Sequence, residues 1–201
     1  EPTVSTTHHG WEIHKPGFWS QGPVQLQALN MLERDDLSGL DPLGPAFVHL
    51  TTEALKRAFA DREAYYGDGD IPADRLLSKA YAATRRADIT DAASLDHRPG
   101  AIPGYDRLAD AFLRRAETPY AAGPGTGAGE PTMAHLSERR GDTVHLDVID
   151  RWGNVVSATP SGGWLQSNPV IPGLGVPLGT RAQMFWLEPG LPTSLAPGRR
   201  P

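Results

Sequence analysis

Residues 118–142, TPYAAGPGTGAGEPTMAHLSERRGD, interrupt the chain with a run dominated by Gly, Pro, Ala and Thr. Such a composition cannot bury enough apolar surface to order itself, so a flexible loop of more than twenty residues is predicted here. Loops that long inside a globular chain usually carry a function. The chain is thereby divided into residues 1–117 and residues 143–201, and each side must find its own regular structure.

Periodicity differs between the two sides. Upstream it is helical. In GPVQLQALNMLERDDL, Val24, Leu26, Leu29, Leu32 and Leu37 recur behind Pro23, a residue tolerated at a helix start. PAFVHLTTEALKRAFADREAYYG sets Phe47, Leu50, Ala54, Leu55, Ala58 and Phe59 at helical spacing, with Gly67 as the stop. PADRLLSKAYAATRRADI reads as a further helix with Leu76, Leu77, Ala80 and Tyr81 on one face. YDRLADAFLRRAE reads as a shorter one with Leu108, Phe112 and Leu113 inward. Downstream the pattern is β. Val144, Leu146, Val148 and Ile149 lie in a strand, RWGN turns through Gly153 and Asn154, and VVSATPS returns. NPVIPGLGVPLGTRAQMFWL then suits brief strands joined by tight turns. The expected class is α+β, with a helical first half and a β second half.

Composition excludes several functions. With 201 residues and 39% hydrophobic content, the chain is long enough for one domain with a core. A net charge of -5 without a basic block argues against a nucleic-acid partner. No apolar run of about 18 residues is present to span a membrane. EPTVSTTHHGWEIH lacks the layout of a signal peptide, and a leader ahead of Glu1 would leave the compartment open. The strand approach GWEIHKPG at one end and APGRRP at the other suit a piece cut from something longer. Zero cysteines exclude disulfides and thiolate metal sites.

The stretch GDTVHLDVID places Thr143 at the head of a strand directly after the loop. An N-terminal nucleophile hydrolase needs that arrangement. The hydroxyl attacks the carbonyl of Asp142, an N-to-O acyl shift gives an ester, and water cleaves it. Thr143 then owns a free α-amino group, with a reference pKa of about 7.7–8.0, which serves as base for its own hydroxyl. Threonine is also an ordinary strand residue, so from these residues alone both readings stand. Other conspicuous residues have plain readings. His8, His9 and His14 lack a carboxylate at ligand spacing and read as surface histidines on a loop, so no metal is expected. GPGTGAG, residues 123–129, lacks the Lys-Ser/Thr of a phosphate loop and reads as linker. Asp35, Asp36, Arg85 and Arg86 read as solvated charges. Trp164 reads equally as pocket lining or core cap.

Further motifs change the balance. GWEIHKPG, QLQALNMLE and TEALKRAFADREAYYGDGD follow one another in the first half. TVHLDVIDRWGNVVSAT follows from Thr143, with PGLGVPLGTRAQMF and PGLPTSLAPGRRP after it. In this order and spacing they resemble the γ-glutamyltransferase (γ-glutamyltranspeptidase) family, over nearly all of the chain. The resemblance implies part of an αββα sandwich of the N-terminal nucleophile hydrolase type. Residues 1–117 would be the end of a heavy subunit, 118–142 a linker ending at the processing site, and 143–201 the start of a light subunit.

By that resemblance Thr143 aligns with the catalytic threonine, and the zymogen is cut between Asp142 and Thr143. Ser161 falls where the family keeps a second hydroxyl that hydrogen-bonds the nucleophile. The substrate-binding positions depart from the pattern. A glutamyl-binding Asn falls on Gly163, beside Trp164. A donor-holding Gln falls on Arg181, and the Asp that grips the donor's α-amino group falls on Met184. A thioether cannot pair an ammonium, whereas an added guanidinium suits a carboxylate. SATPSGGWLQSNPVIPGLG also looks like the branch that includes oxamate amidohydrolase. The implied partners are a small-molecule amide and the remaining heavy and light subunit segments of a longer parent, with no cofactor. The 201 residues alone would then be inactive. A non-catalytic structural relative remains the rival reading.

Overall fold

The computed structural model describes residues 2–117, 145–159, 170–175 and 181–200. They fall in two compact units: residues 2–117 with 186–200 form the first, and the described residues between 120 and 185 belong to the second.

The first unit opens with strands, not helices. β1 (Val4–His8) and β2 (Trp11–Lys15) pair antiparallel, from Val4↔Lys15 to His8↔Trp11, and turn through His9 and Gly10, both at positive φ. The helical first half expected from periodicity therefore carries a hairpin at its head. Four longer helical segments follow: α1 (Gly22–Leu32), α2 (Pro45–Tyr65), α4 (Lys79–Ala87) and α5 (Asp106–Glu117), with the single turn α3 (Ala73–Leu76) before α4. α1 and α2 each begin with Pro in the first turn, where no N–H is needed. α1 packs on α2, α4 and β1, and α2 packs on α5.

Two predicted helices differ from expectation for local reasons. α1 stops at Leu32 instead of running on to Leu37. Asp36 accepts from both the backbone N–H and the hydroxyl of Ser38, at 3.0 and 2.6 Å, a local turn that competes with the helix. The helix expected over 72–89 is broken because Ser78 is extended and caps a new helix, accepting from Tyr81 N at 3.2 Å.

The largest departure is the face that α2 buries. Leu55 and Phe59, set at helical spacing together with Ala54 and Ala58, are 41% and 37% exposed. The buried stripe keeps Ala54 and Ala58 of that set and adds Glu53, Ala60, Asp61, Ala64 and Tyr65. Alanines let neighbouring helices approach closely, and the two acids are satisfied by converging donors. Asp61 is fully buried and accepts from Gln27 Nε2 at 3.1 Å, Tyr81 Oη at 2.9 Å and Gly100 N at 2.7 Å. Arg85 Nη2 lies 3.3 Å from the same carboxylate and also donates to the carbonyls of Arg57 and Arg98. Burial pushes the Asp61 carboxyl up, opposed by Arg85, Gly100, Tyr81 and Gln27. Glu53 is held by Lys56 at 2.6 Å, Arg57 at 2.7 Å and the Ser94 amide at 3.2 Å. Burial raises its pKa, but these donors prevail and bring it down to about 2.

Arg85 is thus a buried partner and not a solvated charge. Arg86 and Asp35 also leave that class, since Arg86 grips both Asp35 oxygens at 2.7 and 2.6 Å. Around this centre lie Phe18, Val24, Met31, Leu76, Ile102 and Phe112, all buried.

The C-terminal stretch of this unit, 186–200, folds on itself. Trp186 N donates to Thr193 O and Leu195 N to Trp186 O, at 3.0 and 2.8 Å, while Ser194 Oγ accepts from Leu191 N and donates to Glu188 O. Pro192 lies so close to Gly67 that a Cβ there would stand 2.5 Å from the Pro192 carbonyl carbon, at a φ of 152°.

In the second unit, β3 (Leu146–Ile149) and β4 (Val155–Ala158) form the predicted hairpin, paired from Leu146↔Ala158 to Ile149↔Val155. Asp150 holds the turn, accepting from Trp152 N, Asn154 N and Asn154 Nδ2 at 2.8, 2.9 and 2.8 Å, and Gly153 takes φ 86°. Both faces of the hairpin are exposed. The RAQM segment, expected among brief strands, is a 3-10 helix, Arg181–Met184.

Replacing Asp61 with Ala would leave the Arg85 guanidinium buried without its carboxylate. A destabilisation of about 3–5 kcal/mol is expected in denaturant titration, and a loss below 1 kcal/mol would refute the central role given to the pair, about the ordinary cost of a surface change. Glu53 adds a pH dependence. Its folded pKa is depressed, so its contribution is complete above the ordinary value of 4.5 and is lost as pH falls toward about 2. The thermal midpoint should drop across that window, and less steeply in Glu53→Gln; parallel curves would show that the carboxylate contributes nothing there.

Candidate active site

The expected chemistry lies around the head of β3. Asp142, Thr143, Ser161, Gly163 and Trp164, together with the 118–142 loop, lie outside the described residues. What the structure describes is the frame that begins two residues beyond Thr143. His145 precedes β3, and Thr159 follows β4. Their side chains meet across the hairpin, His145 Nδ1 to Thr159 Oγ1 at 2.7 Å. On its other side His145 Nε2 lies 3.0 Å from Asp147 Oδ2. Asp147 and His145 stand two residues apart, hence on one face of the strand, and Thr159 is the next cross-strand partner after Ala158. From the sequence His145 reads by itself, as structural more than as a base, and is not joined to Asp147 and Thr159, although the period of two and the hairpin register together contain the chain.

The turn at the far end holds the register. Asp150 has its carboxyl pulled below the usual range, first by the Asn154 side chain and also by the backbone amides of the turn. With Asp150 and Gly153 fixing one end and the His145–Thr159 contact the other, the hairpin has no freedom to slip by a residue.

Arg181 opens the 3-10 turn and Met184 closes it, both half-buried. In a 3-10 helix residues i and i+3 eclipse, so the guanidinium and the thioether share one side.

The His8 and His9 rings meet edge to face, 4.4 Å between centroids, and His14 lies apart from them. All three lie on the β1–β2 hairpin and its turn, not on the loop expected, with His8 paired to Trp11 and His14 to Ser5, at opposite ends. Among the described residues no His/Asp/Glu cluster could hold a metal. The cleft in the first unit, about 350 Å³, is lined by Asp70, Tyr105, Arg107, Leu191, Pro192 and Arg199. Arg107 donates to Gly190 O and Arg199 to Leu191 O, so this cleft is the seam between α5 and the 186–200 segment. No helix among the described residues is long and apolar enough to cross a membrane.

Comparison with known proteins gives a consistent result. The chain is 33% identical over 202 residues to the Acylase ACY 1 proenzyme of Pseudomonas sp. (strain SE83), covering 98% of this chain and 30% of that protein. It is 27% identical over 216 residues to the Glutathione hydrolase proenzyme of Pseudomonas sp. (strain A14), covering 98% of this chain and 32% of that protein. Among solved structures, LmbA2991HD is 50% identical with a TM-score of 0.71, covering 100% of this chain and 32% of its own. Cephalosporin acylase from Bacillus halodurans is 25% identical with a TM-score of 0.66, covering 99% of this chain and 30% of its own. The chain therefore spans about a third of the length of these relatives, and their α+β class is the class seen here. The sequence profile described as Gamma-glutamyltranspeptidase matches residues 1–201, and the chain belongs to that family.

Proposed function

We propose that the protein to which this chain belongs cuts itself between Asp142 and Thr143, then uses Thr143 to cleave or transfer acyl groups from amides. The proenzyme relatives are consistent with a processed precursor. The observation that carries the reading is the register of the hairpin. It pairs Leu146 with Ala158, and the His145–Thr159 contact takes it one step further at 2.7 Å. Were both strands to continue two more steps in that register, position 143 would pair with position 161. Thr143 would then face Ser161, a hydroxyl able to donate to and accept from the nucleophile. The Thr143 hydroxyl attacks the amide carbonyl while the α-amino group takes up its proton. That proton passes to the leaving amine, and an ester remains. Water or a second amine then takes the acyl group. On this reading 118–142 is the linker that ends at the cut, and the strands form part of the αββα sandwich.

The acyl donor is the second part of the proposal. Met184 stands where the family's ammonium-binding Asp falls, and it shares one side of its turn with Arg181. An uncharged thioether beside a guanidinium favours a donor with a carboxylate and no α-ammonium. A small anionic amide such as oxamate meets that description, and acylases are among the relatives. Gly163 and Trp164 are assigned to the same donor pocket.

Intact mass of the full-length protein and of its Thr143→Ala variant tests the nucleophile. Two pieces split before Thr143 in the parent and one uncut chain in the variant are expected; an uncut parent would leave the threonine as a strand residue in an inert relative. For the donor, γ-glutamyl p-nitroanilide is compared with glutaryl p-nitroanilide, which differs only by the α-amino group. The glutaryl compound should have the higher kcat/KM. A preference of about tenfold or more for the γ-glutamyl compound, worth about 1.4 kcal/mol, would return the protein to ordinary γ-glutamyl chemistry.

A further inference from the structure

The first compact unit is made from two stretches of chain that lie on either side of position 143. If the cut proposed above occurs, residues 186–200 belong to one piece and the helices that hold them to the other. We propose that this segment is the non-covalent joint that keeps the cut pieces together, with the Asp68–Arg200 ion pair as its principal fastening.

The contacts are of three kinds. Arg200 engages Asp68 through Nη2 at 2.5 Å, Nε at 3.1 Å and its backbone N–H at 3.0 Å, a multidentate grip that fixes geometry as well as charge. The same guanidinium lies 4.6 Å over the Trp19 ring. At the other end, Arg115 of α5 stacks 4.5 Å over Trp186 and lies 3.4 Å from Glu188. Between these ends Leu191 is buried in the helical core, Asp68 N donates to Pro192 O at 3.2 Å, and Gly67 lets Pro192 approach.

The segment is also self-shaped. The Ser194 hydroxyl and the Trp186 and Leu195 backbone bonds close it into a compact loop. A pre-shaped segment has less conformational freedom to lose when it docks, so its contacts translate more fully into affinity. The association would therefore outlast the peptide bond.

The proposal rests on the cut before Thr143 but is tested without it. A site for a sequence-specific protease is inserted between Gly127 and Ala128 of the chain, and the purified protein is cut there. Size-exclusion chromatography then asks whether the pieces co-elute, and dilution gives their dissociation constant. The wild-type pieces should stay together. Arg200→Ala should raise the dissociation constant by about tenfold or more, Arg200→Lys by less because the fork is lost but the charge kept, and Arg115→Ala by a smaller factor. Circular dichroism of each uncut variant checks that the helices persist. If uncut Arg200→Ala loses them, Arg115→Ala alone decides. Pieces that separate at once in the wild type, or folded variants whose pieces hold as tightly as wild type, would overturn the proposal. Because the protease makes the cut, failure of self-cleavage in the parent would leave this result standing.

Discussion

A carboxylate with no access to water organises the helical unit. Asp61 lies on the inner stripe of α2, and its oxygens collect a donor from α1, a donor and a cation from α4, and a backbone amide from the irregular stretch after α4. Each of those groups would be costly to bury alone, so they are stable only together. The irregular stretch carries no helix or strand to position it. It is held by Asp61, by Tyr65 donating to Gly100 O at 2.6 Å, and by Glu53 receiving the Ser94 amide. A side chain at position 100 would collide with Tyr81 Oη, so the close approach requires glycine.

The hairpin that would carry the nucleophile works by different means. It has no buried face of its own among the described residues, and its order comes from its ends, the Asp150 turn and the His145–Thr159 contact. Hydrogen bonds fix register there and burial does not. Pairing along the strand is a directional constraint, and on the proposed mechanism an attacking hydroxyl carried by this hairpin would depend on direction.

Much of this was legible in the sequence, and the failures share a cause. Strong apolar periodicity gave α5 with Leu108 and Phe112 inward, and alternation with a Gly-Asn turn gave the β3–β4 hairpin. The motifs gave the family. The face of α2 was only partly found: periodicity grouped Leu55 and Phe59 with Ala54 and Ala58 and passed over the acids, whereas the helix buries what fits close neighbours and what finds partners. Those partners, Gln27, Arg85 and Gly100, are distant in sequence and leave no local trace. Arg85 and Asp35 were misread for the same reason, and the Ser78 cap was missed inside a run that otherwise reads as continuous helix. In the candidate site, the Asp147–His145–Thr159 chain was available from strand geometry alone, while Arg181 and Met184 sharing one side depended on a 3-10 turn that alternation does not forecast.

The ion pair between Asp68 and Arg200 joins residues 132 positions apart. During synthesis the helices emerge long before the residue that fastens them, and the pocket for Leu191 must wait without its occupant. Contacts of such separation close late and slowly. On sequence separation alone, the acid-centred core of the helical unit would close before the returning segment.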